Sequence, residues 1–212
     1  MSLRTIVFLR RNGALGLGHV GWAFELRTGW FSAGAVENIK GAAYAPPQQM
    51  DLWTKHTLNP INAMLHQYHP YNEYKVFTIP QPRPWDAWET ILWISQQPFI
   101  VLTRNCVDDA YDVLRAYGDQ RVLLPSKALI PNVWYDRLPG ETNHITPHSR
   151  ISLIRLAAIA RLTPISGDHE LIIPVNAKGK RPAWRHEGTA PWKALQEALT
   201  LQSNNEDSLP TP

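Results

Sequence analysis

Apolar positions come first in short, continuous, β-rich runs and only later at helical spacing. "TIVFLRR" (5–11) reads as a strand. "HVGWAFEL" (19–26) and "WFSAGAVEN" (30–38) read as two more, turning at "RTG" (27–29) to make a hairpin. The glycine-rich "NGALGLG" (12–18) is a loop ahead of that hairpin. The stretch 46–74 is mixed and predicts one or two short helices interrupted at Pro60 and Pro70, followed by a strand at "KVFTIP" (75–80). "RPWDAWETILWISQQP" (83–98) predicts a helix with Pro84 in its first turn and an apolar face of Trp85, Trp88, Ile91, Leu92 and Ile94. A second helix is predicted over 107–117, where Val107, Ala110, Tyr111, Leu114 and Tyr117 recur at helical spacing and Gly118 supplies the stop. The proline-punctuated 123–140 predicts a packed connector.

The pattern changes after Gly140. "ETNHITPHSR" is a polar linker, "ISLIRLAAIARL" (151–162) predicts an apolar helix, and "PWKALQEALTLQ" (191–202) a short amphipathic one. The segment between them, 176–188, is basic and loop-like. The expected organisation is a domain over 1–140, an extension over 141–202 packed on it, and a disordered tail over 203–212. Residues 151–162 are too apolar to remain in water, so packing on the domain or an oligomer contact is expected. No oligomeric state follows from the sequence.

Composition narrows the class. The chain has 212 residues, 44% hydrophobic and 18% charged, with a net charge of +3, as in ordinary globular proteins. No dense Lys/Arg run interleaves with aromatics, which argues against nucleic acid as partner. No stretch has the length of a membrane span, and the apolar run in "MSLRTIVFLRRNG" is too short for a signal-peptide core, so a soluble cytoplasmic protein is expected. Tryptophans 22, 30, 85, 88 and 134 can line a cleft or pack the core.

One cysteine stands in the chain, Cys106 in "LTRNCVDDAYDVLRAYGD", which excludes an internal disulfide framework. It falls where a strand-like run meets a helix start. That is a place for a small core residue, and also one where free N–H groups favour a thiolate. Asp108 and Asp109 oppose a thiolate there, so a nucleophile at this position needs an imidazolium partner. Of the eight histidines, His19 differs, because it opens a strand between Gly18 and Gly21. Small neighbours allow a substrate backbone or another helix to approach. His66 and His69 in "HQYH" have a spacing that can bind metal, but no cysteine or carboxylate cluster supports it, and no cofactor is called for. A triad also needs a group to orient the imidazole. If the hairpin turns through a three-residue loop, Leu26 pairs with Trp30 and Glu37 faces His19; a two-residue loop puts Asn38 there. Glu37 is preferred, because a carboxylate also stabilises an imidazolium.

"GHVGWAFEL … GAVEN", followed much later by "RNCVDDAYDVLRAYG", resembles the circularly permuted papain-like hydrolases, the permuted NlpC-type amidases and the lecithin:retinol acyltransferase-like proteins. His19, Gly21, Asn105 and Cys106 match the "HxG" strand and "NC" helix start of that group; Glu37 matches loosely, because the hairpin here is longer. The resemblance spans roughly residues 5–140. It implies an α+β fold with an antiparallel sheet packed on the Cys106 helix. It also implies acyl transfer through a thioester on a peptide, amide or acyl substrate. In that reading His19 takes the thiol proton, Cys106 attacks, and Glu37 or Asn38 holds the ring. Asn105 either caps the helix or helps to polarise the carbonyl. The leading reading is a hydrolase that cuts an amide or peptide bond. The competing readings are an acyltransferase or thioesterase of the same fold, or a non-catalytic binding module using the same groove.

Overall fold

A computed structural model describes residues 2–26, 29–37, 43–67, 69–145 and, for their backbone only, 169–171. The apolar runs at the start of the chain become β1 (Leu3–Arg10), β2 (His19–Glu25) and β3 (Phe31–Glu37). They read as continuous rather than alternating because they are buried on both faces, every residue of β2 included. Two short strands, β4 (Tyr44–Ala45) and β7 (Phe99–Ile100), pair with each other apart from the main sheet. The main sheet adds β5 (Asp51–Thr57), β6 (Glu73–Ile79), β8 (Asn143–His144) and β9 (His169–Leu171). Its order is β8-β6-β1-β2-β3-β5-β9, and every neighbour is antiparallel. The sheet therefore does not stop at Gly140: β8 and β9 come from residues assigned by sequence to the extension. The apolar segment 151–162, the basic segment 176–188, the amphipathic segment 191–202 and the tail lie outside the described residues.

β5 corrects the expectation of helices through 46–74. Its seven residues carry Trp53, Thr54 and Thr57, good strand formers, and pair with all of β3, from Phe31 opposite Thr57 to Glu37 opposite Asp51. Cross-strand pairing decides a segment that has no clear period of its own. Pro60 does not interrupt a helix but starts one, α1 (Pro60–Leu65), behind Asn59, whose side chain accepts the Asn62 N–H at 3.0 Å. The helix over 83–98 is α2 (Pro84–Ile94), and its buried face is Ala87, Thr90, Ile91 and Ile94; Trp85 is exposed instead. The predicted connector contains α4 (Pro131–Arg137), over which Trp134 and Tyr135 are buried.

One face of the sheet packs Ile6, Phe8, Ala23, Ala33 and Ala35 against Ile61 and Met64 of α1 and against Tyr71 and Tyr74. Gly21 belongs to this face: a Cβ there would lie 2.5 Å from the Met64 methyl, so the glycine of "HxG" admits α1. The alternate residues Val7, Leu9, Val20, Trp22 and Phe24 are equally buried. Phe24 meets Tyr117 of α3 (Cys106–Tyr117), ring centroids 5.2 Å apart. Gly118 ends α3 in the left-handed conformation, as its position after the periodic run predicts.

Candidate functional site

β2 begins with His19 and β3 ends with Glu37. The two strands pair Trp22 with Gly34 and Ala23 with Ala33, so that paired numbers sum to 56, the register of the three-residue turn. Continued to the end of the hairpin, that register sets Glu37, not Asn38, against His19. His19 Nε2 lies 3.2 Å from Glu37 Oε2. The contact is an ion pair rather than an aligned hydrogen bond, and Nε2 has no hydrogen-bond partner among the described residues. Asn38 lies outside the described residues. On its other side β2 pairs with β1, with Arg10 opposite His19. Arg10, His19 and Glu37 thus form a row across three adjacent strands.

α3 delivers Cys106 to the same place. The Cys106 sulfur is close enough to the His19 ring to raise its proton affinity. The two residues are 87 positions apart in sequence (106 − 19), and both are buried, at 3% and 5% exposure. Burial by itself would drive the proton off His19. The Cys106 sulfur and the Glu37 carboxylate beside it overcome this and raise the pKa of His19 to about 10. Burial likewise works against ionised Glu37, but His19, Arg10 and the Tyr71 hydroxyl pull its carboxyl down to about 2. Histidine and glutamate therefore carry opposite charges through the neutral range.

The start of α3 resolves the two roles open to Asn105. Its Oδ1 accepts the Val107 N–H at 2.8 Å, and its own N–H donates to Asp108 Oδ2 at 3.1 Å, a capping box. Its Nδ2 donates to the carbonyls of Val101 (2.9 Å) and Leu129 (3.3 Å). Asn105 is a helix cap whose amide hydrogens are committed to the backbone, which leaves none for a substrate carbonyl. The Cys106 N–H sits in the first turn, where no intrahelical acceptor exists. The acids that oppose a thiolate are engaged as well. Asp108 closes the capping box, and Asp109 pairs with Arg104, which also faces Asp112 at 3.7 Å and stacks over Trp93 at 4.6 Å.

Three groups in this arrangement carry no motif: Arg10, Tyr71 and Arg104. Arg10 follows from extending the strand pairing to the end of β1; Tyr71 and Arg104 have no periodic signal. Of the glycines near His19, Gly18 admits the start of α4, since a Cβ would come 2.2 Å from the Asn132 side chain. Asn132 in turn ties the 12–18 loop down, donating its N–H to the Leu17 carbonyl (3.1 Å) and Nδ2 to the Gly16 carbonyl (2.9 Å). The backbone segments around the cysteine and histidine hold Leu15, Leu17, Leu102, Leu129, Ile130 and Val133 exposed to solvent. Leu15 is fully exposed and left-handed, φ 59°, a conformation that costs an L-residue energy. No group of three or more His, Cys, Asp or Glu among the described residues could hold a metal ion; His66 instead bonds the Asn62 carbonyl through Nδ1. No helix among the described residues is long and apolar enough to cross a membrane. The chain matches no protein-family model, no curated protein and no solved structure.

Proposed function

We propose that the chain is a cysteine hydrolase of the permuted papain-like type, which cuts an amide or peptide bond through an acyl-enzyme. One observation carries the reading. The strand that starts at His19, the strand that ends at Glu37 and the helix that starts at Cys106 bring a thiol, an imidazole and a carboxylate into one buried cluster. A cysteine serving only as core filler needs no charged imidazole beside it, and burying one costs stability.

In the proposed cycle His19 holds the thiol proton as imidazolium. The Cys106 sulfur adds to the carbonyl carbon, and the oxyanion meets the Cys106 N–H at the helix start. The C–N bond breaks as His19 gives its proton to the departing amine, which leaves a thioester. Water, deprotonated by His19, then adds to the thioester, and the C–S bond breaks to release the acid. Glu37 stays ionised throughout and holds the ring. A cytoplasmic setting agrees with this chemistry, because a free thiol persists in a reducing compartment.

The exposed leucines around the cluster favour a second reading with the same residues: transfer or hydrolysis of an apolar acyl group held as ester or thioester.

Intact-mass spectrometry tests both. Incubation with amide, ester and thioester substrates should leave an acyl adduct on Cys106 that decays in water. His19→Ala should lose the adduct, and iodoacetamide should alkylate Cys106 at pH 6 in the wild-type chain at least about tenfold faster than in His19→Ala. Equal alkylation in the two proteins, with no adduct from any substrate, leaves the binding-module reading.

A further inference from the structure

We propose that Tyr71 is a positioning residue for this chemistry: its hydroxyl holds one oxygen of Glu37 and so keeps the other beside His19 instead of letting Arg10 take both. The inference rests on the reading of Glu37 as the group that orients His19.

The hydroxyl of Tyr71 donates to Glu37 Oε1 at 2.9 Å. Glu37 Oε2 is shared: Arg10 Nη2 and His19 Nε2 each lie 3.2 Å from it. A guanidinium beside a carboxylate prefers two parallel bonds, one to each oxygen. Here the second oxygen is occupied, so Arg10 makes one bond only and turns its Nη1 to the His69 carbonyl at 2.9 Å. His19 is the least well aligned of the three partners, since its ring N–H is not aimed at the carboxylate. The contact that matters for the chemistry is therefore the one most easily lost, and groups outside the chemistry decide where the carboxylate points.

Tyr71 is built to do this. It is fully buried, its ring lies edge-on to Phe8 at 6.4 Å, and Arg10 rests over it at 5.5 Å. Its N–H donates to the Met64 carbonyl at 3.2 Å, and the next residue's N–H donates to the Leu9 carbonyl at 3.2 Å, so the backbone is pinned to α1 and β1. The titratable and charged groups around the hydroxyl are Glu37 from β3, Arg10 from β1 and Cys106 from α3, with the His19 ring of β2 5.9 Å away. A phenylalanine would fill the same space. The hydroxyl is the part that packing does not require.

The test is the titration of His19, followed by NMR on the full chain with labelled histidine, in wild type, Tyr71→Phe, Glu37→Gln and the double variant. Tyr71→Phe should lower the proton affinity of His19 by at least about threefold, because Arg10 then draws Glu37 away from the ring. In the Glu37→Gln background the same change should have no further effect. Adding Arg10→Gln to Tyr71→Phe should recover part of the loss. The proposal is overturned if Tyr71→Phe leaves His19 unchanged. It is overturned equally if the shift is as large without Glu37, since Tyr71 then acts on the ring directly, or if Tyr71→Phe fails to fold, since the hydroxyl is then structural. Failure of the hydrolase reading shows separately, as a Cys106 that no amide or acyl substrate modifies while the His19 titration still responds to Tyr71.

Discussion

The two ends of α3 handle buried charge in different ways. At its C-terminus the buried polar groups Asp119, Thr5 and Tyr117 each have a matched partner. Asp119 takes the Thr5 hydroxyl at 2.7 Å on one oxygen and the Arg121 N–H at 3.0 Å on the other, and the Tyr117 hydroxyl donates to the Glu25 carbonyl at 2.6 Å. At the N-terminus, a helix length of about 18 Å away, a charged histidine keeps one nitrogen out of hydrogen-bond alignment, and its glutamate is shared among three groups. The C-terminal end is a joint between helix and sheet. The N-terminal end holds its charges in tension around a thiol. An open cleft does lie at the C-terminal end, lined by Thr78, Gln81, Arg83, Asp119 and Arg121 among others, but its lining holds neither cysteine nor histidine. On the proposed reading, incomplete pairing rather than open space marks the end that carries the chemistry.

The comparison predicts which changes cost stability and which cost chemistry. The largest stability loss should come from beneath the N-terminal end. Arg104→Met removes the cation that Asp109 and Asp112 both face in a fully buried setting, and should cost about 3–5 kcal/mol in chemical denaturation. A loss below about 1 kcal/mol, the range of exposed pairs, would mean that the two carboxylates do not rely on Arg104. At the C-terminal end, Asp119→Ala strands the buried Thr5 hydroxyl and should cost about 1–3 kcal/mol. Alkylation of Cys106 should be unaffected. A change in its rate would show that the two ends are coupled through the helix and that the division drawn here is wrong.

Much of this architecture is legible in the sequence, and the reasons are local. β1, β2 and β3 are continuous apolar runs bounded by glycine, and α3 has both a regular spacing and a glycine stop. The register that opposes Glu37 to His19 needs a three-residue turn, which the sequence does not separate from a two-residue one; from sequence, Glu37 is favoured over Asn38 only by its charge. What is not legible depends on partners far along the chain. β5 carries a lysine and a histidine among its strand formers and becomes a strand by pairing with β3. Tyr71 lies in "HPYNEY", which has no period, and its bond to Glu37 crosses 34 positions. Arg104 reads as an ordinary basic residue before "NC"; only the fold turns it under its own helix. The apolar pattern places Trp85 on the buried face, but it sits in the first turn of α2 and is exposed.

The smallest predicted effect is also the most specific to the N-terminal end. Glu37 is held near 2, below its ordinary 4.5, so its contribution to stability is complete above about 4.5 and is lost as pH falls toward 2. His19 is held near 10, above its ordinary 6.5, so its contribution is complete below about 6.5 and is lost as pH rises toward 10. Both are fully present only between about 4.5 and 6.5. Glu37→Gln removes the charge on one side of the pair and weakens the hold on the other. The melting-temperature difference between wild type and Glu37→Gln should therefore be greatest in that window and shrink on either side. Asp119→Ala, whose partners are a hydroxyl and a permanently charged arginine, should show no loss of its effect from pH 6.5 to 10. If the Glu37→Gln difference is as flat as that of Asp119→Ala across the alkaline side, Glu37 does not stabilise a charged His19. The N-terminal end would then be a second structural joint, and the thiol beside it a core residue.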